Sequence, residues 1–590
     1  MTKFETRATI AAAIVAAGTA FAGDVPIDWN VNVWEPWTHV LSAPAAEGLH
    51  GRLAGIERIT AANAVGDESV KTWKATAWRN ERVNGQFVVW SSTEERQLRI
   101  QSSDLVSEGG RIPASAVRGR FVRYVRASLI KGEKVIVPEQ YVGDCLDDVS
   151  STDTGWLDMP KNGFRPVWVT VTVPKDAKPG VYRGSVTVRA YGNRRVTFPV
   201  ELAVRDETLA DHKDWSFFLD LWQHPWAVAR YHRVKPFSDA HFARMEPLLK
   251  ELAAGGQKTI TTTITDLPWN HQNFDAYRTM IEHVRNADGT WRRDYSIFDA
   301  WVTFAQKCGL GPQIHCYTMA SWGNIVYYVD GATGDRVAVE LKAGTPEHET
   351  FWGVFLEDFE RHLAAKGWLD RTYIALDERS REELMASAAC VKRYAPHLKI
   401  AMAGNKPPST FTGIDVQNYC SAMRMITPEY IAEVGGRREK GYTTTYYICC
   451  GPLRPNTFTV SPLEESRWLG LFASAKDLDG MLRWAAFNWT RDPMLDSTFP
   501  GHRGTSTWRP GDCYLLYPEG RASVRWEVFR DSIENFEKIR QLRAAGKMTA
   551  GLENALKALE YNAASAEKQA SAWAAEADLV EAQIDAASAR

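Results

Sequence analysis

Between residues 167 and 173 every second position is valine. Val167, Val169, Val171 and Val173 alternate with Trp168, Thr170 and Thr172. Successive side chains of a strand point to opposite faces, so this period of two predicts a half-buried strand. Lys178-Pro179-Gly180 supplies a turn, residues 181–191 a second strand, Gly192-Asn193 another turn, and residues 195–204 a third strand. Short strands separated by turn residues predict an all-β region over residues 24–208, packed as a two-sheet β-sandwich.

Beyond Asp206 the pattern changes. Short apolar strands are predicted at 216–219, 259–265, 313–317, 372–376, 399–403, 413–416 and 443–448. Segments of helical period fall between them, around 240–254, 295–307, 347–365 and 382–394. Repeated strand-then-helix units predict a parallel sheet, and a (β/α)8 barrel over residues 209–530 fits the size. A doubly wound sheet is the other arrangement of such units, but no G-x-G-x-x-G fingerprint supports it. Residues 531–590 are alanine-rich, with Leu552, Leu556 and Leu559, then Trp573, Leu579 and Ile584, at helical spacing. They predict amphipathic helices docked on the barrel or on a partner, and no sustained heptad points to a coiled coil.

The chain has 590 residues, 45% hydrophobic and 24% charged, which fits a folded protein of two or more domains. A formal net charge of −2 gives no basis for a nucleic-acid partner. Residues 1–22 have the form of a secretory signal: Lys3 and Arg7, the apolar run 8–17, then Ala20-Phe21-Ala22 as a small-x-small cleavage site. Export, to the periplasm or the medium, is therefore expected, and no transmembrane segment is expected in the mature chain. Eight cysteines contain no C-x-x-C pair and read as buried thiols, Cys449-Cys450 as buried strand; an exported chain leaves room for one or two disulfides. His224 and His232 lack metal-ligand spacing, no H-E-x-x-H occurs, and Glu347-His348-Glu349 reads as a helix start. No metal or cofactor is expected. Twenty-three tryptophans suit a large aromatic core, and equally flat platforms for sugar rings with an indole N–H for a hydroxyl.

Asp377 and Glu378 directly follow the run Thr372-Tyr373-Ile374-Ala375-Leu376. Two carboxylates a few Å apart do not both ionise cheaply, so their pKa values split into a proton donor and an anion. Glycosidic bond cleavage uses such a pair. The same residues would also suit a helix start, where acids favour the dipole, and local sequence leaves the two readings level. In a barrel, catalytic groups gather at the C-terminal ends of strands. Asp220, Trp222 and His224 follow the first predicted strand, Asp266 the second, Tyr317 the third and Asn405 the fifth, while Tyr446 and Tyr447 lie on a later one. Trp222-Gln223-His224 reads equally as packing around a satisfied histidine.

Four ordered stretches carry a resemblance. They are Leu219-Asp220-Leu221-Trp222-Gln223-His224-Pro225; Ile374-Ala375-Leu376-Asp377-Glu378-Arg379; Gly480-Met481-Leu482-Arg483-Trp484 running to Trp489 and Asp492-Pro493; and Pro510-Gly511-Asp512-Cys513-Tyr514 through Tyr517-Pro518 to Arg530-Asp531. Taken together, over nearly the whole mature chain, the sequence resembles glycoside hydrolase family 123, whose members place a β-sandwich ahead of a catalytic (β/α)8 barrel. The resemblance implies removal of terminal β-linked N-acetylgalactosamine by substrate-assisted retention, in which the sugar's 2-acetamido oxygen attacks the anomeric carbon and forms an oxazoline. By that likeness Asp377 orients and stabilises the acetamido group, and Glu378 is general acid, then base. Trp222, Trp484 and Trp489 are candidates to wall the sugar. Tyr317, Tyr446 or Tyr447 is a candidate for the acetamido oxygen, and Asn405, Asp220 and His224 for ring hydroxyls. Arg379-Ser380 stands where relatives often carry proline shortly after the pair. Two alternatives remain: a glycosidase of other specificity with a second carboxylate, Asp266, Asp492 or Asp496, facing Glu378, and a carbohydrate-binding or scaffold protein with an inactive barrel.

Overall fold

The valine-alternating stretch forms the strand Gly163–Thr172, at the centre of a five-stranded antiparallel sheet. The structure, a computed structural model, describes residues 41, 47–69, 71–131, 134–148, 156–270, 272–499 and 508–589. The export signal expected over residues 1–22 lies outside the described residues. Val167, Val169 and Val171 face a second sheet, in which Arg195–Thr208 lies between Trp73–Arg79 and Gly180–Arg189. Phe87 and Phe198 stack between the sheets with centroids 4.4 Å apart. The other face of Gly163–Thr172 is also buried, against the expectation of a half-buried strand. Trp168 Nε1 and Thr170 Oγ1 donate to Asn84 Oδ1 at 3.0 and 2.6 Å, and Asn84 Nδ2 donates to Asp531 at 2.7 Å. Asp531 belongs to the helix Val524–Ala544, which packs over that face. The alternation therefore separates two buried surfaces, one apolar and one polar, rather than core from water.

Eight parallel strands follow, here β1 (Phe218–Leu221), β2 (Thr259–Thr263), β3 (Gln313–Tyr317), β4 (Thr372–Leu376), β5 (Lys399–Gly404), β6 (Asn418–Ala422), β7 (Thr443–Tyr447) and β8 (Gly480–Arg483). Each from β2 onward pairs with the next, and β8 pairs with β1. Between β1 and β2 the link is a single bridge, Leu219 to Gln257, with Lys258 N donating to Leu219 O at 2.9 Å, so the barrel is nearly closed. Helices alternate with the strands, most with hydroxyl N-caps: Ser238 opens Asp239–Ala254, Thr345 opens Pro346–Lys366 and Thr427 opens Pro428–Glu439. The expected 413–416 strand is a turn, with Gly413 at φ 90°, and β6 comes after it. Its sequence Asn-Tyr-Cys-Ser-Ala has no apolar run because the inward side carries small or polar groups; Asn418 Nδ2 donates to Gln313 Oε1 at 2.9 Å. β8 was not predicted as a strand. The first strand begins at Phe218 rather than 216, which puts Asp220 inside it.

The C-terminal helical region docks on the chain itself. Val524–Ala544 lies between sandwich and barrel and carries charges into the join. Glu527 meets Arg82 at 2.6 Å and Arg120 at 2.8 Å. Arg525 Nη2 meets Asp144 Oδ2 at 2.8 Å with both side chains fully buried, Arg58 adds a contact at 3.1 Å, and Tyr517 donates to Asp144 at 2.6 Å. Burial would raise the Asp144 carboxyl, yet Arg525 and Arg58 hold it below the ordinary range. Removing one partner of a buried pair strands the other charge, at a cost of about 3–5 kcal/mol. Arg525→Met is expected to lower unfolding free energy by about that amount, read as a fall in the denaturant midpoint at unchanged m. A midpoint equal to wild type would contradict the burial argument.

Candidate active site

β4 is buried along its length and ends at Leu376. Along it the side chains alternate: Ile374 and Leu376 join the outer core, while Tyr373 and Ala375 face the barrel interior. Asp377 continues the inward row. Neither Asp377 nor Glu378 caps the following helix. Ser380 is the N-cap of Arg381–Tyr394, in a reciprocal capping box with Glu383, and Glu382 and Glu383 are the first-turn acids. With capping assigned to other residues, the helix-start reading of the pair falls away.

Past Tyr373, the inward positions of β4 to β6 are small. Ala375, Ala401, Ala403, Cys420 and Ala422 share one buried cluster with large aromatics: Trp222, Trp269, Tyr277, Tyr317, Tyr447, Trp484 and Phe499. Trp222 lies 4.5 Å from Tyr317 and 4.8 Å from Trp269, centroid to centroid. The indole nitrogens of Trp222 and Trp484 have no hydrogen-bond partner among the described residues, so two N–H donors remain in an aromatic setting.

Asp377 is buried, and its Oδ2 accepts from Trp322 Nε1 at 3.0 Å. Burial raises its carboxyl above the ordinary range, and the Trp322 N–H is the first of several groups that oppose the rise. Glu378 is half-buried and accepts a hydrogen bond from the Tyr447 hydroxyl. Its carboxyl is pushed up to about 7, by burial first and by the Asp377 charge second, with Arg424 opposing. An acid poised near neutral pH beside a second carboxylate is suited to general acid–base work. Arg379 Nη2 donates to Glu383 Oε1 at 2.8 Å and Asn324 Oδ1 at 3.2 Å, and its guanidinium lies 5.8 Å from the Trp322 ring. The Arg379-Ser380 departure thus supplies a helix cap and a brace to the loop that carries Trp322.

The other expected site residues separate into groups. Tyr317, Trp222, Trp484 and Tyr447 share the pocket with the acid pair. Asp220 faces inward but deeper. Thr259 Oγ1 donates to its Oδ1 at 2.5 Å, His315 Nδ1 stands 3.6 Å from Oδ2, and burial pushes its carboxyl up to about 7. His224 is fully buried, stacks on Tyr277 at 3.6 Å and approaches the Asp275 carbonyl at 3.0 Å; burial lowers it to about 3, so it is neutral packing. Asn405 follows β5, half-buried, with no bond to the acid pair. Tyr446 points out of the barrel, donates to Leu469 O at 2.7 Å and packs on Phe472. Trp489 is in the outer core, donating to Leu516 O at 2.8 Å. Neither meets the pocket, because strand alternation and the turn after β8 send them away from it.

The candidate second acids are engaged elsewhere. Asp266 is ion-paired with Arg336, Asp496 accepts from Arg126 Nε at 2.8 Å, and Asp492 accepts from Met494 N at 3.1 Å. Trp322, Trp269 and Arg424 were not singled out from sequence. Trp269 and Trp322 sit in turns and Arg424 in the short 3-10 helix Met423–Met425 after β6, and only the fold brings them together. The Cys449-Cys450 expectation is corrected too: both follow β7, and Cys450 is exposed. All eight cysteines are free thiols. No helix of the described residues is long and apolar enough to cross a membrane.

Residues 222–542 match the family model for the glycoside hydrolase 123 catalytic domain, and residues 60–190 that for the glycoside hydrolase 123 N-terminal domain. Among solved structures, a family 123 glycoside hydrolase from Clostridium perfringens, studied for glycolipid glycan hydrolysis, shares the fold with a TM-score of 0.83. It is 24% identical, and the alignment covers 92% of this chain and 98% of that one. A family 39 glycoside hydrolase from the gut symbiont Bacteroides cellulosilyticus WH2 aligns over 78% of this chain and 81% of its own at 11% identity, with a TM-score of 0.33. No curated protein matches the chain.

Proposed function

The chain belongs to glycoside hydrolase family 123, and from that membership we propose a hydrolase that releases terminal β-linked N-acetylgalactosamine with retention, by way of an oxazoline, and from the signal pattern of residues 1–22 that it is exported. Glycolipid glycans are included as substrates by likeness to the Clostridium perfringens enzyme. One observation supports the reading above others: the adjacent acids hold distinct environments, Asp377 buried on the Trp322 N–H and Glu378 raised to about 7 beside it.

In this account Glu378 gives its proton to the glycosidic oxygen as the bond to the anomeric carbon breaks. The substrate's acetamido oxygen attacks that carbon from the other face. Asp377 accepts from the acetamido N–H and stabilises the positive charge that develops as the oxazolinium ring forms. Glu378, now anionic, takes a proton from water as the ring opens. A two-carboxylate retaining pair requires acids about 5–5.5 Å apart across the sugar, and an inverting pair about 6.5–9.5 Å. Neighbouring residues on one strand end are poorly placed for either, whereas a nucleophile supplied by the substrate removes the requirement. The engagement of Asp266, Asp492 and Asp496 elsewhere points the same way.

Steady-state hydrolysis of an aryl β-galactoside against its 2-acetamido analogue tests the reading. The acetamido substrate is expected to turn over and the galactoside to remain at background, because the galactoside lacks the nucleophile. Comparable rates would remove substrate assistance from the account.

A further inference from the structure

Cys449 and Cys450 stand just past the end of β7, two and three residues after Tyr447. Cys449 is half-buried against the aromatic pocket, and Cys450 is exposed. Their sulfurs lie 3.6 Å apart. Neighbours in an extended strand point to opposite faces, so adjacent sulfurs meet only because the chain bends here. The bend is held by Cys449 N donating to Gly451 O at 3.1 Å and by Asn456 Nδ2 donating to Cys449 O at 2.9 Å. Cys449 packs against the cluster that contains Tyr447, whose hydroxyl donates to Glu378.

We infer that Cys449 and Cys450 are a modification site at the rim of the pocket, a dithiol that closes to a disulfide between neighbouring residues by exchange with a small-molecule disulfide and thereby weakens hydrolysis. The hydrogen bond between the sulfurs lowers the Cys450 thiol and raises that of Cys449. Cys450 is also the exposed sulfur of the two, the one a disulfide in solution reaches, so it is the attacking thiolate and the half-buried Cys449 the resolving thiol. The Cys450 thiolate attacks one sulfur of R–S–S–R and expels RS⁻, leaving a mixed disulfide. Cys449 then gives up its proton, attacks Cys450 Sγ and expels the second RS⁻. The two protein thiols are oxidised to one disulfide, R–S–S–R is reduced to two R–SH, and the two protons end on the released thiolates.

The product is strained. Adjacent Cα atoms sit about 3.8 Å apart across a trans peptide, whereas disulfides usually span about 4.4–6.8 Å. Ring closure must therefore twist the backbone, and a strained disulfide is readily reduced again. The twist reaches Tyr447 through Ile448, and Tyr447 holds Glu378. Displacement of a catalytic group by about 1 Å can cost on the order of 10²-fold in rate. This effect on hydrolysis rests on the proposed role of Glu378; the thiol chemistry does not.

The test treats the full-length protein with glutathione disulfide and then with dithiothreitol, reading peptide mass after alkylation alongside hydrolysis of the aryl 2-acetamido substrate. Oxidant is expected to leave the 449–450 peptide short of two hydrogens and closed to alkylation. Hydrolysis is expected to fall by about tenfold or more, and dithiothreitol to restore both. Cys450→Ser is expected to keep basal hydrolysis and to ignore the oxidant. A peptide alkylated at both cysteines after oxidant, or one carrying glutathione at Cys450 alone, would overturn the disulfide. A closed disulfide with unchanged hydrolysis would overturn its effect on the site. If neither oxidised nor reduced protein hydrolyses the substrate, the proposed activity fails, while the mass measurement still decides the disulfide.

Discussion

Glu378→Gln is expected to lower kcat/KM on a glycan with an unactivated sugar leaving group by about 10²–10⁴, the usual contribution of a positioned general acid. Gln keeps the shape and the Tyr447 contact but has no acidic proton. A substrate with a very good leaving group, such as a dinitrophenyl glycoside, needs little protonation and is expected to retain most of its bond-cleavage rate. The same residue sets the pH profile. The acid must be protonated in the free enzyme, and burial with the Asp377 charge places Glu378 near 7. Wild-type kcat/KM on the unactivated glycan is therefore expected to fall about tenfold per pH unit above roughly pH 7. That alkaline limb should vanish in the variant. A variant with wild-type rates on both substrates would remove Glu378 from the chemistry.

Asp377→Asn is expected to slow both substrate types by about 10²–10³, the size of losing one preorganised electrostatic partner of a transition state. Asn preserves a hydrogen-bonding oxygen for Trp322 Nε1 but brings no negative charge to the developing oxazolinium. Leaving-group quality does not relieve that loss, which separates the two variants. A second consequence concerns pH. The Asp377 charge raises Glu378, so its removal should move the alkaline limb to lower pH. The two acids titrate as a coupled pair, and the shift is read on the macroscopic profile. Circular dichroism and thermal melts on both variants separate a chemical loss from a folding loss.

How much of this could be read from sequence depends on what each residue packs against. β3 and β4 were legible to the residue because a parallel barrel strand is buried on both faces, and Ile314, Cys316 and Tyr317 in β3 and Tyr373 to Leu376 in β4 are apolar or aromatic. β6 was not, since its inner positions, Cys420 and Ala422, are small to make room for the pocket, and Asn418 is spent on Gln313. The acid pair was legible as a strand-end feature, and Ser380 with Glu383 then shows why it is not a helix cap. Tyr446 and Tyr447 illustrate the limit. Periodicity places them on opposite faces but does not say which face is the interior, and the structure sends Tyr446 to Leu469 and Tyr447 to Glu378. Trp322 is invisible in pattern because it belongs to a loop between β3 and an inserted strand, Ile325–Asp330. Trp489 and His224 were drawn in by their motifs, yet packing claims both. Strand patterns thus report burial well, and a pocket that interrupts burial is where they lose definition.

The central claim is that one strand end supplies both acids while the substrate supplies the nucleophile. A crystal structure with an N-acetylgalactosamine-derived thiazoline, the stable analogue of the oxazoline, tests it most directly. The account predicts the thiazoline nitrogen on the Asp377 carboxylate, the Glu378 carboxyl at the anomeric side where a leaving oxygen would sit, and the sugar ring among Trp222, Tyr317 and Trp484. A thiazoline bound away from the acid pair, or a sugar flanked by Glu378 and a second carboxylate on its opposite face, would contradict it.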